Sequence, residues 1–84
     1  MMKKTVLINL NTGLETRPVA QLVQLASQFD CEVYVELERG RVNAKSIMGM
    51  MTLGIDTGEE ITISTSGKDE EIALLKIEGF LSGK

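Results

Sequence analysis

The residues able to do chemistry gather in one stretch, Asn43-Ala44-Lys45-Ser46-Ile47-Met48-Gly49-Met50-Met51. Ser46 stands just before a short apolar helical pattern, with Lys45 and Arg41 close upstream. A serine in that place has two chemistries. As an N-cap, its hydroxyl oxygen accepts a free backbone N–H of the first turn. As a phosphate acceptor, it would carry a charge of about −1.5 to −2 where free N–H groups and the positive end of the helix dipole meet it. Position alone favours the cap. The same helix must place Ile47, Met48, Met50, Met51 and Leu53, more apolar side chains than about two turns can hide. Methionine adapts well to binding surfaces. A serine that can take a charge, beside exposed apolar surface, reads as a docking site that can be switched.

Chemistry that needs histidine or a zinc site is ruled out by composition. The chain has no histidine and one cysteine. No ordinary zinc site can be built, and no Ser–His or Cys–His nucleophile pair. No catalytic residue, metal or cofactor is expected, and the chain reads as a binding protein rather than an enzyme. The lone Cys31 lies in an apolar strand pattern and reads as packing. It permits no internal disulfide, which suits a reducing cytoplasm.

The 84 residues predict a single domain spanning 1–84, with 43% apolar residues for its core. Charged residues make up 25%, and the net charge is −3. That balance argues against direct nucleic-acid binding, which needs a basic face to displace counterions. The absence of Trp argues against a stacking platform. No apolar run reaches about 18 residues, so no membrane span is expected. Met1-Met2-Lys3-Lys4 is followed by Thr5-Val6-Leu7-Ile8-Asn9, too short and too polar for a signal peptide.

The elements that must position the site follow from periodicity. Residues 4–10 alternate as a strand, with Val6, Ile8 and Leu10 on one side and Thr5, Leu7 and Asn9 on the other. Asn11-Thr12-Gly13 breaks it. Pro18 marks a helix start that either Glu15 or Thr16 can cap. Val19, Leu22, Val23, Ala26 and Phe29 recur at helical spacing, opposite Ala20, Gln21, Gln24 and Ser27. Cys31 to Leu37 alternates with Val33, Val35 and Leu37 inward. Glu38-Arg39-Gly40 reads as a hairpin turn with Gly40 free to take positive φ. Arg41-Val42-Asn43 returns as a short strand, Ser46 to Leu53 is the short helix, and Gly54 is its stop. Asp56-Thr57-Gly58 turns into a strand from Glu60 to Ser66, with Ile61 and Ile63 inward and Thr62 and Ser64 outward. Gly67-Lys68-Asp69 leads to a last helix. Asp69, Glu70 and Glu71 complement its dipole, and Ile72, Ala73, Leu74, Leu75, Ile77, Phe80 and Leu81 form a broad apolar side. Strands with polar outward positions imply an α+β fold whose antiparallel sheet is wet on one face and helix-covered on the other.

Element order and two motifs resemble the HPr family of phosphocarrier and catabolite-repression proteins, over essentially the whole chain. Gly13-Leu14-Glu15-Thr16-Arg17-Pro18 is similar to that family's Gly-Ile/Leu-His-Ala-Arg-Pro signature. Lys45-Ser46-Ile47-Met48-Gly49-Met50-Met51-Thr52-Leu53 is similar to its regulatory-serine signature. Gly58-Glu59-Glu60-Ile61-Thr62-Ile63-Ser64 and Gly67-Lys68-Asp69-Glu70 also resemble family segments. The resemblance implies an open-faced β-sandwich, βαββαβα, with a four-stranded antiparallel sheet in the order 1-4-2-3 under three helices.

The departure falls at the family's phosphohistidine, whose position here is Glu15. A histidine-lacking catabolite-repression branch of the family carries Gln there. Glu15 either caps the helix or mimics the phosphohistidine's charge. The resemblance makes Ser46 the target of an HPr kinase/phosphorylase. It implies a partner surface of Thr16, Arg17, Ala20, Gln24, Ile47, Met48 and Met51, with Met50 and Leu53 in the core. The partner implied is the catabolite control protein, a repressor, which the chain would serve as corepressor without touching DNA. The rival readings are a phosphocarrier of the phosphoenolpyruvate-dependent sugar phosphotransferase system and a regulator of a central-carbon enzyme.

Overall fold

The computed structural model describes residues 1–9, 16–38, 40–53 and 58–83, and the side chains of residues 16–18 lie outside that description. Its elements run β1 (Met2–Leu7), α1 (Thr16–Ser27), β2 (Glu32–Leu37), β3 (Gly40–Asn43), α2 (Ile47–Leu53), β4 (Glu60–Ser66) and α3 (Glu70–Leu81). The strands form one antiparallel sheet in the order β1-β4-β2-β3. This is the α+β architecture that the sequence and the family resemblance imply.

The register explains which side chains face the helices. Val35 lies opposite both Ile63 and Val42, and Ile61 lies opposite Val6. These rows put β-branched residues on one face, where α1 contributes Val19, Leu22 and Ala26 and α3 contributes Ala73, Leu74, Ile77 and Leu81. Full burial of each large apolar side chain contributes about 1.5–3 kcal/mol against chain entropy. β4 is flanked on both edges, and Ile61, Ile63 and Thr65 are all buried.

Several sequence expectations are corrected. β1 begins at Met2, since Thr65 of the long β4 still has a partner there, and it ends at Leu7. Ile8 leaves the ladder yet stays buried, donating its N–H to the Glu59 carbonyl at 2.9 Å. Phe29 lies beyond α1, because the N–H groups of Gln28 and Phe29 bond to the Leu25 and Ala26 carbonyls in a tightened last turn. Cys31 is buried but precedes β2. Gly40 takes no left-handed φ and instead opens β3 opposite Leu37. Ser64 faces outward as expected but is buried, because Lys3 and Tyr34 flank it on the neighbouring strands and Arg41 lies over the Tyr34 ring at 3.9 Å. Ile72 and Leu75 are exposed, so the apolar side of α3 is narrower than its composition suggested.

Among the described residues, positive φ falls at Gly58, Gly67 and Gly83. At Gly67 a Cβ would sit 2.7 Å from the Cys31 Cβ, so this turn closes only over a bare backbone. The expected features at Leu10, Asn11-Thr12-Gly13, Glu15, Arg39, Gly54 and Asp56-Thr57 lie outside the described residues.

Candidate docking site at Ser46

The loop from β3 to α2 is fixed residue by residue. Asn43 ends β3, and its Oδ1 accepts the Lys45 N–H at 2.8 Å while its carbonyl accepts the Ser46 N–H at 3.0 Å. This is an Asx-type turn, the local conformation that asparagine favours. Ala44 is fully buried and donates its N–H to the Val33 carbonyl at 2.8 Å, which pins the turn to β2. The Lys45 ammonium donates to the Phe29 carbonyl at 2.6 Å, just past the end of α1.

Ser46 then caps α2. Its Oγ accepts the Gly49 N–H at 3.2 Å, and its carbonyl accepts the Met50 N–H at 3.0 Å. The helix therefore starts at Ile47, one residue later than the sequence reading placed it. Gly49 is shaped by this cap, since a Cβ there would stand 3.3 Å from the Ser46 Oγ and 3.5 Å from the Val42 Cβ. Ser46 itself is exposed.

Beyond the cap, α2 divides into two faces. Met50 and Leu53 are buried. Ile47, Met48 and Met51 are 41%, 78% and 49% exposed, which is the division the family resemblance implied. α2 packs against α1, where Gln24 is exposed and Ala20, one turn earlier, is half-buried. Thr16 and Arg17 are the first residues of α1, so Thr16 lies within the helix rather than before it. Their side chains, and all of Glu15, lie outside the described residues.

The two upstream cations are not free partners for a charge on Ser46. Lys45 is held by Phe29. Arg41 belongs to the open face of the sheet, stacked on Tyr34 with its Nε 3.6 Å from Glu36 Oε2. Sequence reading missed both engagements, because their partners lie on other elements. Asn43 two residues before Lys45 was the one local signal for the turn.

Two further groups bear on this region. The Asp69 carboxylate accepts the N–H groups of Asp30 at 2.8 Å and Cys31 at 2.9 Å, so it clamps the turn after α1 and makes no side-chain cap on α3. The Asp30 N–H above all holds its carboxyl below the usual 3.8. Burial, followed by the neighbouring Asp69, pushes the Cys31 thiol up to about 11. Cys31 therefore stays a protonated packing group at neutral pH. Among the described residues, no group of acidic, histidine or cysteine side chains could hold a metal ion. Among the same residues, no helix is long and apolar enough to cross a membrane.

Three helices over one face of a sheet ordered β1-β4-β2-β3, with a capped serine opening a half-exposed apolar helix, define an HPr-like β-sandwich. The chain belongs to the HPr family, whose model for the PTS HPr component phosphorylation site matches residues 2–82. It is 43% identical to the HPr-like protein Crh of Bacillus subtilis over 81 residues, 96% of this chain and 95% of that one. Among solved structures it is similar to the phosphocarrier protein HPr of Bacillus anthracis, with a TM-score of 0.92 and 44% identity over 95% of both chains. It is also similar to a crystal structure of Crh from Bacillus subtilis described as a domain-swapped dimer. That match has a TM-score of 0.80 and 42% identity, covering 100% of this chain and 97% of that one.

Proposed function

We propose that this HPr-family protein is a non-catalytic regulator acting in the cytoplasm. An HPr kinase/phosphorylase phosphorylates Ser46, and the product binds the catabolite control protein as a corepressor in carbon catabolite repression. The observation that carries this reading is the exposed Ser46 cap beside Met48, 78% exposed. A phosphate there meets the start of α2 without entering the core, so the fold is left intact and a charged handle is added. A basic group of the repressor grips that handle, while Ile47, Met48 and Met51 supply apolar contact. Ala20, Gln24, Thr16 and Arg17 extend the surface along α1. Burial of this modest patch suits a transient complex.

The absence of histidine separates this reading from a phosphocarrier role, because Glu15 stands at the relay position. The test is incubation with HPr kinase/phosphorylase and ATP, with intact mass read beside a Ser46→Ala control. Enzyme I with phosphoenolpyruvate runs in parallel. One phosphate from the kinase, absent in the control, and none from enzyme I is the expected result. Labelling by enzyme I would return the phosphocarrier reading, and Glu15→His tests whether the cradle around that position survives. Kinase product that binds a central-carbon enzyme and not the repressor would redirect the regulation.

A further inference from the structure

We infer that Lys45 is a positioning residue: its ammonium struts the Ser46 turn against the end of α1 and so sets the geometry in which Ser46 is presented. The inference deepens the proposed phosphorylation of Ser46 and rests on that reading for its functional half.

The turn after α1 is unusually well held. Three successive backbone groups find side-chain partners from distant elements. The Phe29 carbonyl takes the Lys45 ammonium, and the N–H groups of Asp30 and Cys31 take the two oxygens of Asp69. A turn clamped from β4–α3 on one side is a firm base for a strut on the other. Gly67 adds to this firmness, because it lies directly over Cys31.

α2 needs such a base. It has seven residues, far below the length at which a helix holds itself together in water. Its cap is one hydroxyl contact at 3.2 Å, on an exposed serine. Lys45 is half-buried and reaches sixteen residues back along the chain to Phe29. Ordering a lysine costs more side-chain entropy than ordering most residues. A charge-assisted bond of 2.6 Å offsets that cost and fixes the backbone immediately before Ser46. The same bond keeps the ammonium at the turn after α1, so the charge of a phosphorylated Ser46 is not taken up by its own neighbour. It remains available to a partner.

Lys45→Met keeps the apolar stem and removes the donor. Lys45→Arg keeps a donor on a long stem. In Lys45→Met, amide exchange at Gly49 and Ser46 should rise about tenfold while Ile63 and Val35 in the sheet hold their protection. With HPr kinase/phosphorylase, KM should rise roughly tenfold at nearly unchanged kcat, because the competent turn is less populated. Lys45→Arg should return both quantities toward the parent. Unchanged exchange at Gly49 and Ser46 overturns the strut. A raised KM without faster exchange also overturns it, since that is a lysine read by the kinase through charge alone. Faster exchange with unchanged KM removes the positioning role. If the parent protein takes no phosphate, the proposed modification has failed, and the exchange measurement alone decides whether the strut exists.

Discussion

The residues at the starts of α2 and α3 use their side-chain oxygens in opposite ways. Both helices follow a short polar residue, and both leave apolar side chains in solvent. Ser46 satisfies its own helix, accepting the N–H of Gly49 three residues on. Asp69 leaves its own first turn and spends both carboxylate oxygens on Asp30 and Cys31, about forty positions earlier. One side chain serves its own helix and the other a tertiary clamp. The exposed surfaces differ in the same way. Ile47, Met48 and Met51 adjoin the exposed Ser46, the proposed phosphate acceptor. Ile72 and Leu75 lie between Glu71 and Lys76, with no such group among them. Scattered exposed apolar residues are ordinary on any surface. The combination at α2 is what supports the proposed docking site.

The contrast can be sharpened first within α2. Met50→Ala removes a side chain that is 1% exposed, and about 3 kcal/mol of stability should go with it, read from the urea midpoint at constant m. The next effect is at Asp69. Its carboxyl is held below the ordinary value in the folded chain, so its contribution is complete above the unfolded-state value near 3.8 and is lost as pH falls through the folded one. Parent protein should therefore lose more stability than Asp69→Asn between about pH 5 and about pH 2, and equal acid limbs in urea titrations would remove the clamp. Ser46→Ala should cost about 1 kcal/mol, the usual worth of a cap, and should abolish phosphate uptake in the mass spectrum. The smallest stability effects belong to Met48→Asp and Leu75→Asp, each within about 0.5 kcal/mol. Only Met48→Asp should abolish repressor binding by the phosphorylated protein, measured by titration calorimetry. Equal loss in both variants would erase the distinction between the two surfaces.

Much of this was legible in the chain. β4 runs from Glu60 to Ser66 as the alternation predicted, because period two with β-branched residues suits nothing else of that length. The two motifs of the resemblance led to the correct strand order. The misplaced details have a common cause. Ser64 alternates outward and is still buried, because Tyr34 and Lys3 close over it from neighbouring strands. Ile72 and Leu75 look like core and are not, since α3 buries Ala73, Leu74, Ile77 and Leu81 and packs Phe80 partly against the core.

What the sequence determined by itself is whatever depends on neighbours within a few residues: the strand and helix periods, the serine before α2, the lack of any imidazole. Tertiary structure decided which apolar residues each short helix hides. It also took Lys45 and Arg41 away from Ser46, one to Phe29 and the other to Tyr34 and Glu36. The physical reason is reach. A backbone period is set by local sterics and hydrogen bonding, whereas a long charged side chain bonds whatever group the fold brings within about 3 Å of its head.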